Sequence, residues 1–346
     1  MTIHPRRLLG NGEFGEVWHA WDDALERDVA VKVIDPGKIG RPIGEMFAEA
    51  QALLQAQHGN VVQVHSASEV NGQPLIVMEY LPAGSLQDRY GGRPVPVREA
   101  LDAVAQACRG LGHAHVRGLL HRDVKPGNLM VGDNELVKLS DFGLACSSRN
   151  VVAGPLIGYR PHLPPEAVDD GYIQDPLGDV YASGVTLYRL LNGDDMLFSA
   201  AKPGADLDAL VKAGKFPRRD RWLPHVPAAV RRVVRRAMHL DPSKRPQDAD
   251  RLRHDIEAGY PRVSFRCADP SDPIDGDWIG QDSIGQEWMV HIRERPRAGD
   301  HEVTVLKQLP GREFRRSGSD SGLFDTRAMA ARHASRVMDR LSRLGG

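Results

Sequence analysis

A few side chains in this sequence have types and spacings suited to handling phosphate. Lys32 stands inside an otherwise apolar run, VAVKVI. A cation turned inward there needs an anion beside it. Further on, HRDVKPGN gathers Asp123, Lys125 and Asn128 on one short loop. An acid, a cation and an amide so placed can steer a hydroxyl proton, balance charge on a moving phosphoryl group and offer oxygen to a metal ion. Asp141 opens DFGLA after the strand-like LVKLS and supplies a second hard oxygen ligand. Upstream, Gly10, Gly12 and Gly15 form GNGEFG. Glycine lets a backbone close over a ligand that a Cβ would hold away. That pattern also occurs where dinucleotides bind, at a turn from strand to helix. Here EVWHAW follows it, a second strand, so a hairpin is expected.

Elements must carry these groups. EVWHAWD and DVAVKVI are rich in β-branched and aromatic residues, and the stretch from about 6 to 78 reads mostly as strands. One helix is expected near Ile43 to Gln57, where Met46, Ala50, Leu53 and Leu54 recur at helical spacing. From about 97 to 258 the pattern is helical, in segments such as VREALDAVAQACRGLGHAH and DVYASGVTLYRLL. Pro261 and the polar stretch Asp269 to Asp277 mark a boundary. Beyond it EWMVHIRE and HEVTVLKQL alternate as strands, and a last helix is expected from Thr326 to Leu344 with Asp325 as its cap.

Taken in order, GNGEFG with Val17, AVK ending at Lys32, HRDVKPGN, DFG and the Pro-Pro-Glu ending at Glu166 resemble the eukaryotic-type (Hanks-type) bacterial serine/threonine protein kinases. The resemblance covers roughly residues 6 to 258. It implies an α+β, bilobal kinase fold, with a β-rich lobe over about 1–78 and a helical lobe over about 82–260. Residues 261–346 would form a small α+β domain of unassigned role.

The resemblance also implies roles. ATP would lie between the lobes with Mg2+ held by Asn128 and Asp141. Asp123 would be the catalytic base and Lys125 would balance charge. Lys32 would touch the α- and β-phosphates and pair with a helix glutamate. Glu45 and Glu49 compete for that place; Glu49 lies on the apolar stripe and is preferred. Val17, Ala30 and Met130 would sandwich adenine, Met78 would close the back of its pocket, and backbone groups of Glu79 and Leu81 would bind it. Glu166 and Arg245 would form a buried ion pair, and Asp179 would anchor the catalytic loop. A protein hydroxyl would be the acceptor, and Lys125 favours serine or threonine.

Two departures matter. Tyr159 stands where serine/threonine members usually carry a threonine that bonds Asp123 and Lys125. Residues 144 to 166 contain no threonine, and Ser147, Ser148 and Tyr159 are their hydroxyls, so weak dependence on loop phosphorylation is expected. An ATP-binding scaffold without catalysis and a small-molecule phosphotransferase are the rival readings.

Bulk properties set outer limits. The net charge is −1, so no global field draws the chain to nucleic acid or to an anionic membrane. Arg332, Arg336, Arg340 and Arg343 line one side of the last helix. A solvated face is the ordinary reading of such a stripe, and RNA contact through it is not expected. Three dispersed cysteines, Cys108, Cys146 and Cys267, suggest neither a disulfide framework nor a metal site. No run of about 18 apolar residues suits a membrane span, and a cytoplasmic protein is expected.

Overall fold

The computed structural model describes residues 3–12, 15–35, 37, 54, 57–70, 72–142, 158–168, 172, 174–201, 204–270, 277–295 and 298–343. The helix expected near Ile43 to Gln57, with Glu45 and Glu49, lies outside the described residues apart from Leu54 and Gln57, as do Gly143, Cys146, Ser147 and Ser148.

The amino-terminal part is an antiparallel sheet in the order β1-β2-β3-β5-β4. Its strands are β1 (Ile3–Gly12), β2 (Gly15–Asp22), β3 (Arg27–Ile34), β4 (Val64–Val70) and β5 (Gln73–Glu79). The glycine segment turns from one strand into the next, pairing Gly12 with Gly15. Gly15 has φ 145°, and an added Cβ would lie 2.0 Å from the Val33 carbonyl oxygen, so only glycine suits this corner. Ala20, Val29, Val31 and Val77 form a small core on the sheet.

The helical part opens with α1 (Leu86–Tyr90), whose Ser85 and Asp88 make a reciprocal capping box. Next comes α2 (Val97–Val116). It buries Leu101, Val104, Cys108 and Leu111 among others, more than one face of a surface helix would. The short strands β6 (Leu129–Val131) and β7 (Val137–Leu139) pair antiparallel. Then follow α3 (Pro176–Phe198), α4 (Leu207–Lys212), α5 (Ala228–Ala237) and α6 (Ala249–Ala258). Asp175 caps α3 by accepting from Leu177 N and Gly178 N, and Pro176 takes the first helical position, where no N–H is needed.

Beyond α6 the chain forms β8 (Ser264–Cys267), β9 (Trp278–Gln281), β10 (Glu287–Arg295), β11 (Asp300–Gln308), β12 (Arg315–Arg316) and β13 (Gly322–Phe324). The sheet runs β12-β11-β10-β9-β8, with β13 also on β11. The closing helix α7 (Arg327–Arg343) buries Ala330, Ala334, Val337, Met338 and Leu341, the stripe expected from sequence. Its cap differs from expectation. Thr326 Oγ1, not Asp325, accepts from Met329 N at 3.3 Å, because the first helical residue is Arg327 and the hydroxyl then stands three residues before that N–H.

This sheet and helix share a core with the helical part. Trp278, Val290, Val305 and Met338 belong to the same buried cluster as Leu101, Tyr188 and Val230. Polar contacts cross the seam. Asp339 accepts from Ala228 N at 2.7 Å, Arg231 donates to Ser335 Oγ at 3.1 Å, and Arg98 N donates to Ser264 Oγ at 3.0 Å. The basic stripe on α7 is partly neutralised, since Arg340 pairs with Asp320 and Arg343 with Asp339. No described helix is long and apolar enough to cross a membrane.

Candidate active site

The β6–β7 hairpin does the first positioning. Pairing Leu129 with Leu139 brings the residues flanking each strand together, and Ser140 N donates to the Asn128 carbonyl at 2.9 Å. Asn128 and Asp141 therefore stand beside one another although 12 residues separate Asn128 from Ser140. Lys32, carried by β3 between Val17 of β2 and Ile76 of β5, reaches the same place. Its Nζ lies 2.5 Å from Asp141 Oδ1.

The sequence assigned Lys32 a helix glutamate as partner. Among the described residues its carboxylate partner is Asp141, and Glu49 lies outside them. An ammonium leaving an apolar strand needs an anion beside it, and Asp141 supplies one. Lys32 holds the Asp141 carboxyl below the usual carboxylate range, against the opposing effect of burial. Asp141 has φ 61°, in the left-handed region where aspartate is among the few tolerated side chains.

Asp123 is held from three directions. Lys125 Nζ donates to its Oδ2 at 2.6 Å, and Asn128 Nδ2 to the same oxygen at 2.9 Å and to the Asp123 carbonyl at 2.7 Å. Tyr159 N donates to Oδ1 at 3.1 Å. A carboxylate oxygen has two lone pairs, so Oδ1 keeps one for an incoming hydroxyl. With its Nδ2 turned to Asp123, Asn128 leaves its amide oxygen for another partner.

The loop backbone is fixed from below. Asp179, near the start of α3, accepts from His121 N at 2.9 Å and Arg122 N at 2.7 Å, and pairs with His115 Nε2 at 2.8 Å. Burial works against its ionisation; hydrogen bonding to His115 and the nearby histidines outweigh it and keep the carboxyl below its ordinary range. His162 reaches the Val124 carbonyl at 2.9 Å through Nδ1. Behind the loop, Phe142 packs edge-on to His121 with ring centroids 4.5 Å apart. Glu166 and Arg245 make a two-pronged ion pair at 2.6 and 2.7 Å, and Arg245 also donates through Nε to the His239 carbonyl.

Of the expected adenine contacts, Ala30 and Met78 are directly opposed in the β3–β5 register. Met78 lines a cavity of 30 Å³ behind Lys32 and Asp141, with Ile76, Leu139 and Phe142. Val17 pairs with Lys32 on the neighbouring strand, and Met130 lies on β6. The Glu79 N–H is already taken by the Gln63 carbonyl at 2.9 Å, which leaves only its carbonyl for a ligand. The Glu79 side chain is engaged too, by Lys138 at 2.7 Å. The Leu81 N–H has no acceptor among the described residues. At Gly10 an added Cβ would meet no protein atom within 4 Å, so the protein's own packing does not call for glycine there.

A divalent ion fits the donor set. Asn128 and Asp141 offer hard oxygens, and among the described residues no cluster of three His, Cys, Asp or Glu side chains could hold a metal by itself. Two protein ligands completed by phosphate and water oxygens is the pattern small hard cations favour. A larger cleft of 980 Å³ lies elsewhere, between α2 and the β8–β10 face, lined by Arg98, Asp102, Arg266 and Gln281 among others.

Sequence reasoning missed two contributors. His115, about five turns along α2, had no local signal; its partner Asp179 is 64 residues away. The Tyr159 main chain carries no sequence signal either, because every residue type but proline offers the same N–H.

Residues 3–256 match the family described as the protein kinase domain. The chain is 29% identical over 260 residues to serine/threonine-protein kinase PrkC of Bacillus subtilis, covering 73% of this chain and 40% of that protein. It is 34% identical over 261 residues to PknB of Mycolicibacterium smegmatis, covering 72% and 41%. For PknL of Mycobacterium tuberculosis the figures are 32% over 261 residues, 72% and 63%. The chain thus spans less than two thirds of these relatives' length. A matching family over most of its residues, and the bilobal fold that carries it, show that this chain belongs to the protein kinase family.

Proposed function

We propose that the chain transfers the γ-phosphoryl group of ATP to a serine or threonine hydroxyl of a protein. The observation that supports this best is Asp123, fixed by Lys125, Asn128 and the Tyr159 N–H with one lone pair of Oδ1 left over. The acceptor hydroxyl gives its proton to that oxygen as its own oxygen bonds phosphorus. The bond to the β–γ bridging oxygen breaks, and ADP departs with the electron pair. Lys32 and the glycine hairpin hold the nucleotide phosphates, and Glu49 is proposed to orient Lys32. Val17, Ala30, Met78 and Met130 enclose adenine, with the Glu79 carbonyl and Leu81 N–H at its edge. Mg2+, held by Asn128 and Asp141, would neutralise charge on the phosphate oxygens.

Kinase activity is assigned to residues 1–260, and residues 261–346 to an attached α+β domain. ATP as donor suits the cytoplasmic setting expected from the sequence. The relatives named as serine/threonine-protein kinases support the acceptor class. Incubation with ATP and magnesium, followed by mass-spectrometric mapping of phosphosites, tests it. Phosphoserine or phosphothreonine is expected; phosphotyrosine alone would reverse the assignment.

A further inference from the structure

Tyr159 departs from the family pattern, and its surroundings show what takes the missing hydroxyl's place. We infer that Tyr159 is a positioning residue: its main-chain N–H holds Asp123 while its ring face holds the Lys125 ammonium in place for phosphoryl transfer. The inference rests on the reading of Asp123 and Lys125 given above.

Three observations carry it. Lys125 Nζ lies 5.3 Å from the centroid of the Tyr159 ring and 2.6 Å from Asp123 Oδ2. The ring is itself fixed. His162 lies against it with centroids 5.3 Å apart, and the Arg189 guanidinium is 5.9 Å from its centroid. Arg189 is in turn clamped by Asp194 at 2.6 and 2.8 Å and by Gln87 at 3.1 Å. The backbone is pressed onto the catalytic loop as well. Gly158 has φ 130°, and an added Cβ would stand 2.4 Å from the Arg122 carbonyl oxygen, so the chain approaches more closely than any other residue would allow.

The chemistry of a ring differs usefully from that of a hydroxyl. Lysine is a flexible stem ending in three donors. A threonine hydroxyl would occupy one of them. An aromatic face attracts the cation through its quadrupole without needing a particular N–H. The remaining hydrogens of Lys125 stay available for oxygens of the transferring group. Fixing a flexible ammonium this way changes an equilibrium by roughly two- to thirtyfold.

The test uses the full chain with MgATP and a degenerate peptide carrying a fixed central serine, measuring kcat and both KM values. Tyr159→Leu should lower kcat by about tenfold while the KM for MgATP moves by less than about twofold. Tyr159→Phe keeps the ring and should lose less than about threefold. Tyr159→Met, which fills space without a π face, should resemble Tyr159→Leu and guards against a folding defect in either one. Combined with Lys125→Met, Tyr159→Leu should add little, since the two side chains act together. Equal activity of the leucine and phenylalanine variants, or additive losses in the double variant, would overturn the inference while leaving the kinase reading intact. Absence of transfer by the unaltered chain would sink that reading, and the inference with it.

Discussion

Burial fixes the charge of two histidines, and this sets how the protein responds to acid. His225 and His162 are almost fully buried, and burial pushes the pKa of each down to about 3, with Arg231 and Arg189 respectively adding to the effect. In the unfolded chain each takes a proton near its ordinary value of about 6.5. Between those limits the unfolded state binds more protons, so stability is full above the upper value and falls as pH drops. From pH 7 to pH 5 each histidine should cost up to about 2 kcal/mol. His225 is the cleaner probe, since among the described residues its Nε2 has no partner and its Nδ1 has only a weak, long hydrogen bond with Cys267 Sγ at 3.8 Å. Denaturant titrations of His225→Gln at the two pH values should show a smaller acid loss than the parent; an unchanged loss would contradict the account. At this scale the sequence was informative wherever a charge stood among apolar neighbours, as at Lys32, and silent about which distant carboxylate would answer it.

Elements were legible in proportion to their periodicity. EWMVHIRE and HEVTVLKQL alternate cleanly and became β10 and β11, which pair throughout. The two-residue β12 and three-residue β13 carry no period to read. Nor did any local pattern announce how α7 would dock. Asp339 looks like one more solvated charge in a polar helix face. In the fold its carboxylate accepts from Ala228 N, at the start of α5, a helix whose own preceding residue, Pro227, supplies no side-chain cap. The two partners lie 111 residues apart. A helix N-terminus deprived of its acceptor loses about 1 kcal/mol. Asp339→Ala should therefore lower the unfolding free energy, read from denaturant titration, by about 1 kcal/mol, and Arg343→Ala, which keeps the carboxylate, should cost less. Equal stability of Asp339→Ala and the parent would show that the seam contact contributes nothing.

At the scale of the whole molecule, the site exists because the amino-terminal sheet, with a small apolar cluster of its own, meets the large core through Val64 and Ile76. That sheet carries Lys32, while the catalytic loop rests on the large core shared by the helical part and the carboxy-terminal sheet. Lys32 and Asp141, 109 residues apart, join them. Motif order revealed this arrangement because each motif must sit at a fixed place in the fold. The merger of residues beyond 260 into the helical core was hidden, since apolar strand faces do not state their partners. The most direct test of the account is ATP-dependent phosphotransfer by the full chain and by Asp123→Asn, which keeps shape and most hydrogen bonds but cannot take the proton. A fall of about 10²- to 10⁴-fold in kcat is predicted, with nucleotide binding kept. Undiminished transfer by Asp123→Asn would contradict it.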